Sequence, residues 1–222
     1  MAEKTEDDLL FQEIDEELRQ DQFHKLWRKY GKFAMAGTVA AILGVAGFQG
    51  WRAYDISSRN AEGERFAAAQ DLVQKNQWQP AEKAFADIAA NGKAAYPFLA
   101  RFQKARLLAR QGKNAAAGQA YKALADDGSL DPVYRDLAVI LGSLQELNNK
   151  SADFQGMENR LKPLLAETNP WRFSAGEITG LLAMRSGDKD RARKTFKGLN
   201  QDRKSPQGVR ARAQEMLSII GK

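Results

Sequence analysis

An uncharged run of 19 residues, from Phe33 to Trp51, constrains the fold of this chain more than any other sequence feature. The run contains no Asp, Glu, Lys or Arg, and Thr38 is its one polar side chain before Gln49. A helix of about 20 apolar residues spans the ~30 Å hydrocarbon core of a bilayer. The run therefore predicts a transmembrane helix over residues 33–51. The alternative, a buried core helix, is disfavoured because such helices rarely lack charge over this length.

Basic residues flank the run unevenly. Four cations lie in the eight residues before it, whereas two, Arg52 and Arg59, lie in the eight residues after it. Because cytoplasmic flanks carry the excess of Lys and Arg, the N-terminus is predicted to be cytoplasmic and the C-terminal part to lie across the membrane. A cleaved signal peptide is the alternative. Its basic region would be 32 residues long, and the one small-residue cleavage pattern, residues 44–46, lies inside the run, so an uncleaved anchor is favoured.

The net charge changes sign across the run. Residues 1–32 carry six basic and nine acidic side chains, whereas residues 52–222 carry 28 basic and 19 acidic ones. We predict a charged, amphipathic cytoplasmic tail over residues 1–32, a connector over 52–60 and a domain across the membrane over 61–222. The cations of the domain are scattered among acids, which indicates a solvated basic face and no nucleic-acid partner.

Small residues recur four apart along the predicted span. They leave little side chain between neighbouring backbones, so helices in lipid can approach closely along such a stripe. The pattern therefore predicts a contact between this helix and another transmembrane helix. The predicted contact residues are Ala36, Gly37, Ala40, Ala41 and Gly44.

Residues 60–222 contain an internal repeat of helix pairs. Three segments share a small residue, an alanine twelve residues later, an aromatic residue four further on and an aliphatic residue three beyond that. Small residues suit the close crossing of paired helices, and the larger ones fill the space between units. Turn-forming residues, Asn76, Gly112 and Gly187, lie between the two helices of each unit. The aligned columns are Ala69, Ala105 and Gly180; Ala81, Ala117 and Ala192; Phe85, Tyr121 and Phe196; and Ile88, Leu124 and Leu199.

The spacing of the units leaves room for one more. The first two are 36 residues apart and the third follows 75 residues after the second, so a degenerate pair is predicted around residues 131–166. Its alanine and aromatic columns do not match the others. Ser205 and Pro206 indicate the N-cap and first turn of a last helix over residues 206–220, which caps the solenoid. The predicted fold class is all-α, one N-terminal transmembrane helix followed by an α-solenoid.

The columns resemble those of tetratricopeptide repeats, whose unit is about 34 residues long. The whole layout is similar to the tetratricopeptide-repeat-like family of the ancillary SecYEG translocon subunit. Proteins of that family have a short charged cytoplasmic tail, one transmembrane span and a periplasmic helical-repeat domain. The residues at the end of the span in this chain, Gly50-Trp51-Arg52, are similar to those at the end of the span in that family. The resemblance implies a tetratricopeptide-repeat-like domain in a single-pass protein of the bacterial inner membrane. It also implies a place near the secretion translocon and hand-over of translocated proteins to periplasmic chaperones.

The resemblance places a protein-binding groove on the first helix of each pair, which lines the concave side of tetratricopeptide repeats. The residues at these positions mix apolar side chains with guanidinium groups, a lining suited to segments with both apolar and acidic side chains. The Lys/Asn pairs of carboxylate-clamp repeats are absent, so a chaperone C-terminal tail is not the predicted ligand. The predicted groove residues are Phe66, Gln70, Gln74, Leu99, Phe102, Arg106, Arg110, Glu177, Leu181 and Arg185.

Enzyme chemistry has little support in this composition. The chain has no cysteine and one histidine, His24, which leaves no thiol nucleophile and no material for Cys-based or multi-His metal sites. No phosphate-loop, Gly-x-Ser-x-Gly or His-Glu-x-x-His motif occurs. We predict no catalytic residues, metal or cofactor, and a membrane-anchored periplasmic scaffold or chaperone. Its expected partners are translocon subunits, periplasmic chaperones or clients, and its oligomeric state is left open. The alternative is a structural adaptor that organises an envelope complex for cell-wall synthesis or division.

Overall fold

The computed structural model describes residues 6–147, 149 and 152–221, without the side chains of residues 6–24 and of Ala34. The amphipathic face predicted for the tail therefore lies outside the described side chains up to residue 24, and beyond it Leu26, Trp27 and Tyr30 are exposed. Within the described residues, the regular structure is helical throughout.

Helix α1 runs from Glu6 to Gln74, a length of 69 residues. It contains the whole predicted span and also residues 52–60, so the predicted connector is itself helical. The chain divides into two compact units within this helix, between Ser58 and Arg59.

The N-terminal unit contains a segment of membrane length. In the described part of the chain, one helical segment, Lys25–Gln74, is long and apolar enough to cross a membrane; the mean hydropathy of its 18-residue window is 1.5, and none of that window is buried. Phe33 and Leu43 expose 76% and 66% of their surface. A core helix would bury these side chains, because burial of each gains about 1.5–3 kcal/mol. The buried-core alternative is therefore not supported, and this helix could span a membrane.

The C-terminal unit consists of the end of α1 and a succession of shorter helices. Helices α2 to α5 pack in sequence, each against the next, and so do α7 to α9. The shorter helices are α2 (Trp78–Asn91), α3 (Tyr96–Arg110), α4 (Asn114–Ala125), α5 (Pro132–Glu146), α6 (Phe154–Leu161), a 3-10 helix (Lys162–Leu165), α7 (Arg172–Arg185), α8 (Lys189–Gln201) and α9 (Gln207–Ile220).

Short turns join the two helices of most pairs. Three residues separate α1 from α2, α3 from α4 and α7 from α8. In each turn one residue has a positive φ: Asn76 at 58°, Gly112 at 75° and Gly187 at 83°. Glycine and asparagine reach this left-handed region more easily than other residues. The predicted turn residues thus lie where the chain reverses.

The repeat columns predicted from the sequence form the core. All twelve residues of the four aligned columns are buried. At Gly180, an added Cβ would lie 2.7 Å from the ring of Phe196, so the crossing of α7 and α8 requires a residue without a side chain. The all-α helical-repeat prediction is confirmed.

The third pair consists of α5, α6 and the 3-10 helix, inside the predicted range 131–166. Seven residues separate α5 from α6, where the other pairs have three. Ser143 is buried and takes the place of the small column, because it follows buried Ala138 at the same interval at which Ala105 follows Ala100.

The second helix of this pair carries the remaining columns with different residues. Met157, Leu161 and Leu164 are buried and follow each other at intervals of four and three residues, as the alanine, aromatic and aliphatic columns do elsewhere. Methionine therefore stands where the other pairs have alanine, and leucine where they have an aromatic ring. The longer connection shifts these residues out of the twelve-residue spacing, which explains why the sequence columns did not match.

The last helix begins one residue later than predicted. Pro206 is its N-cap, with φ −55° and ψ 144°, and Gln207 is its first helical residue. Ser205, predicted as the N-cap, is buried, and its hydroxyl has no hydrogen-bond partner among the described residues. The φ of proline suits both positions, so its presence alone does not separate them. Val209 and Ala213 join the core cluster of α7 and α8 and close the end of the solenoid.

Candidate protein-binding surface

The first helices of the pairs are the end of α1, α3, α5 and α7. Residues at equivalent repeat positions on these helices share one face, because stacked repeats keep the helical phase. We call it the first-helix face and define it by the residue that follows the small buried column on each helix, together with residues one turn before and after. The defining residues are Gln70, Arg106, Leu144 and Leu181.

Two exposed arginines lie one turn apart on α3. The guanidinium of Arg110 lies 5.1 Å from the ring centroid of Trp78 on α2, a cation–π contact that orients it. Burial raises the pKa of the Tyr121 hydroxyl, and the nearby positive charge of Arg106 partly opposes this rise. Neither arginine forms an ion pair with a residue that the structure describes. Both charges are therefore available to an acidic partner.

The aromatic residues and one leucine of the predicted groove are half-buried against the core. The ring centroid of Phe66 lies 5.6 Å from that of Phe85 and 5.7 Å from that of Tyr96. Phe102 packs against the core cluster of α3, α4 and α5, and Leu181 packs against the clusters on both sides of α7. These side chains support the first-helix face and present part of their surface on it.

Glu177 is held by an ion pair with another helix. Arg212 of α9 donates from Nε and Nη2 to its two carboxylate oxygens, at 2.5 and 2.8 Å. These hydrogen bonds, which the Glu177 carboxylate accepts, raise the pKa of Arg212. Bidentate pairs of this kind are among the stronger charge-assisted hydrogen bonds. The negative charge of this predicted groove residue is therefore neutralised, and the pair ties α9 to α7.

The other predicted groove residues differ in exposure. Gln70 and Leu99 are half-buried, whereas Gln74 and Arg185, the last residues of α1 and α7, are exposed. Arg185 occupies the repeat position equivalent to Arg110, five residues after the small column. The α7 end of the first-helix face thus carries another exposed guanidinium.

The structure adds Leu144 of α5 to the face, which the sequence columns had not aligned. Leu144 is 43% exposed and occupies the position equivalent to Arg106. Near the start of α5 and outside the face as defined, Tyr134 is 38% exposed and packs its ring against Phe98 of α3, with centroids 4.8 Å apart. A recurring five-residue interval between two small buried residues could have revealed this register. The intervals are Ala100–Ala105, Ala138–Ser143 and Ala175–Gly180.

The residues predicted to contact another transmembrane helix lie on an open side of α1. A shallow groove runs over Ala36 and Ala40, bordered by larger apolar side chains. A Cβ added at Gly37 or Gly44 would meet no other atom within 4 Å, and Ala41 is exposed. The helix surface is therefore open to a close neighbour along this stripe.

The first-helix face combines charged and apolar side chains. Guanidinium groups flank an exposed leucine and partly exposed aromatic rings, a combination common in protein interfaces. No group of three or more His, Asp or Glu side chains that could hold a metal ion occurs among the described residues.

Stacked helix pairs that follow a helix of membrane length define a class of helical-repeat protein, and such repeats present extended binding surfaces. The chain belongs to the tetratricopeptide repeat-like domain family, whose sequence model matches residues 24–216. The resemblance drawn from the repeat columns is thereby confirmed.

The chain is also similar to a curated protein of Aggregatibacter actinomycetemcomitans, described as the ancillary SecYEG translocon subunit. The two are 26% identical over 188 residues, which cover 82% of this chain and 87% of the relative. No solved structure matches the chain.

Proposed function

We propose that this chain is a non-enzymatic, membrane-anchored scaffold or chaperone of the secretion translocon, with its repeat domain in the periplasm. The similarity to an ancillary SecYEG translocon subunit over 87% of that protein's length carries the proposal. The membrane-length segment in α1 and the exposed guanidinium groups of the first-helix face support it, because they supply an anchor and a surface for protein segments.

The proposed orientation rests on the cations before the span. A phosphatase reporter that is active only after export should be active when fused after Lys222 and inactive when fused after Lys32. The physical reason is that positive flanks remain on the cytoplasmic side during insertion. Activity of a cytoplasm-only reporter at Lys222 would refute the orientation.

The span is proposed to contact a translocon helix through its small-residue stripe. Changing both Gly37 and Gly44 to Leu should reduce co-purification with SecYEG from mild detergent, because the added side chains prevent close backbone approach. Ala46→Leu is the control, since residue 46 lies about 200° around the helix from Gly44. Equal co-purification of all variants would show that the stripe is not part of the interface. Recovery of an envelope complex without SecYEG would favour the alternative function, a structural adaptor of such a complex.

Arg106 and Arg110 are proposed to hold acidic or amphipathic segments of translocated proteins. Charge-assisted hydrogen bonds to carboxylates would use the guanidinium groups, and the exposed part of Leu144 would cover the apolar side of the segment. Changing both arginines to Glu should weaken capture of a purified, unfolded acidic secretory protein by at least tenfold. The melting temperature should change by only a few degrees, because exposed charges contribute little to stability.

The matched control carries the same charge change on α8. Lys194 and Lys197 are exposed, and neither forms an ion pair with a described residue. Changing both to Glu should leave capture at the wild-type level. If the two double variants lose capture equally, the effect is that of net charge and the first-helix face is not the binding surface.

A further inference from the structure

The second helix of the third pair packs less extensively on its first helix than α4 does on α3 or α8 on α7. In the second and fourth pairs this helix meets its partner through an alanine, Ala117 or Ala192, which permits close crossing. In the third pair Met157 occupies that position and is 0% exposed. A methionine at a helix crossing requires a wider separation of the two helices than an alanine does, and α6 itself has only eight residues.

A groove results between α4 on one side and α6 with the 3-10 helix on the other, over α5. We call it the α4–α6 groove. Its deeper part has a volume of about 240 Å³ and a floor of Ala138, Gly142 and Ser143. A second hollow of about 250 Å³ continues it along α4 and shares Gly118 with it. In the fourth pair the ring of Phe196 covers the equivalent small residue. At Ser143 the floor faces the groove instead.

The floor contains a buried polar group without a partner. Ser143 is 2% exposed, and its hydroxyl forms no hydrogen bond with any residue in the described part of the chain. A hydroxyl left in this state costs about 1–3 kcal/mol. The floor of the groove therefore contains a polar group that no hydrogen bond compensates, and the corresponding small residues of the other pairs have no such group.

The rim of the groove is acidic, in contrast to the basic domain that contains it. Its two cations are already paired, Lys122 with Asp126 at 2.5 Å and Arg160 with Glu146 at 2.8 Å. Two further carboxylates lie on the walls, and each accepts a hydrogen bond from an uncharged group. They are Asp136, bonded by Asn169, and Asp153, bonded by the backbone N–H of Gly156. The charge of the rim therefore favours a cationic partner.

We propose that the α4–α6 groove binds an amphipathic helix of a partner protein, which inserts one aromatic side chain over Gly142 and Ser143 and places Lys or Arg along the rim. An apolar cavity of about 150 Å³ takes up benzene, so the deeper part accommodates an aromatic ring. The two hollows extend along α4 from Asn114 to Asp126, about 18 Å at 1.5 Å per residue, which matches three helical turns. The inserted ring would lie against small residues of a first helix, as the ring of Phe196 does against Gly180.

This surface is separate from the first-helix face. The groove lies between the second helices α4 and α6, with α5 as its floor, whereas Arg106 and Arg110 belong to the first helix α3. The groove also favours basic segments and the first-helix face acidic ones. Binding at the groove therefore goes beyond the proposed function and does not depend on it.

The test is a selection of helical peptides on the full chain in maltoside micelles. The probes are 17-residue helices displayed on phage and randomised along one face. Selection should enrich peptides with one aromatic residue flanked by Lys or Arg, and replacement of that aromatic residue by Ala should weaken binding about tenfold to a hundredfold. Enrichment of peptides without an aromatic residue, or of acidic peptides alone, would overturn the proposal.

Variants of the chain locate the peptide. Ser143→Leu fills the floor and should weaken binding of the selected peptide at least tenfold. Asp126→Lys reverses one rim charge at a side chain that is 62% exposed, so folding is preserved, and should weaken binding about threefold to tenfold. Asp190→Lys is the matched control, since Asp190 is 96% exposed and likewise paired, with Arg193. It should bind as wild type does.

Two outcomes contradict the proposal directly. Unchanged binding by both Ser143→Leu and Asp126→Lys would place the peptide elsewhere. Concentration-dependent dimerisation that Ser143→Leu abolishes would show that a second copy of the chain fills the groove. The double change of Arg106 and Arg110 to Glu should leave peptide binding unchanged, which separates this result from the fate of the proposed function.

Discussion

Gly180 is the residue on which the close crossing of α7 and α8 depends most directly. It is buried in the middle of α7, and a Cβ built on it lies 2.7 Å from Cζ of Phe196 and 2.9 and 3.0 Å from its two Cε atoms. Real Cβ atoms do not make such short contacts. The ring is 0% exposed and enclosed by the core, so it cannot swing away. Gly180→Ala must therefore separate the two helices or force the ring off its rotamer.

The magnitude follows from two opposing effects. Alanine is favoured over glycine inside a helix by about 0.8–1.0 kcal/mol, whereas overpacking a core costs about 1–3 kcal/mol. Gly198 of α8 provides a matched control, because it is exposed and an added Cβ there meets nothing within 4 Å. Gly198→Ala should gain the helix propensity without the strain. The free energies of unfolding of the two variants should therefore differ by about 1–3 kcal/mol, with Gly180→Ala the less stable.

The assay is urea unfolding of residues 59–222, followed by far-ultraviolet circular dichroism. The fragment should give a strongly helical spectrum, and the slopes of the transitions should be equal, so that midpoint shifts report stability. Phe196→Leu, made in the wild type and in Gly180→Ala, completes a double-mutant cycle. It should cost less in the Gly180→Ala background than in the wild type, by at least about 0.5 kcal/mol. Equal stability of Gly180→Ala and Gly198→Ala, or no coupling in the cycle, would refute the close crossing.

Further predictions concern other pairs and use the same assay. Ala117→Leu should lower the free energy of unfolding by about 1–3 kcal/mol, because Ala117 is 0% exposed; no loss would reject the repeat register. Ala94→Gly should raise it by up to about 1 kcal/mol, since Ala94 has φ 54°, a strained value for alanine; an unchanged midpoint would show that no strain is stored there. Hydrogen bonds from the Ser129 hydroxyl, and then from Arg101, lower the pKa of Asp127 to about 2. Its carboxylate should therefore stabilise the fold above pH ~4 and lose that effect as the pH falls toward 2. The difference in free energy of unfolding between wild type and Asp127→Asn should shrink from pH 6 to pH 2.5. A difference that stays constant would show that the ionised carboxylate does not stabilise the fold.

The third helix pair shows how far periodicity can be followed along this chain. The other pairs were visible because three-residue turns keep their columns at a constant spacing. Seven residues separate α5 from α6, and both the alanine and the aromatic columns change residue type there. The pair was therefore predicted from its length and helical pattern, while Ser143, Met157 and the exposed Leu144 were assigned only from their burial.

Contacts between helices that are distant along the chain were not predictable from repeat position. Glu177 was assigned to the groove because of its register, yet Arg212, 35 residues further on, occupies both its oxygens. Phe66 and Phe102 were assigned in the same way and are half-buried against core residues. A repeat position indicates the face on which a side chain lies. How much of it remains exposed depends on the size of its neighbours.

Amino-acid order alone is enough for two properties of this protein. The apolar run of residues 33–51 matches the thickness of a bilayer, and the repeat columns encode stacked helix pairs, because each pair contacts mainly its neighbours and local spacing suffices. The α4–α6 groove and the ion pair of Glu177 arise only in the folded molecule. They depend on distances between helices, which are set by how Met157 and the other core side chains fit together in three dimensions.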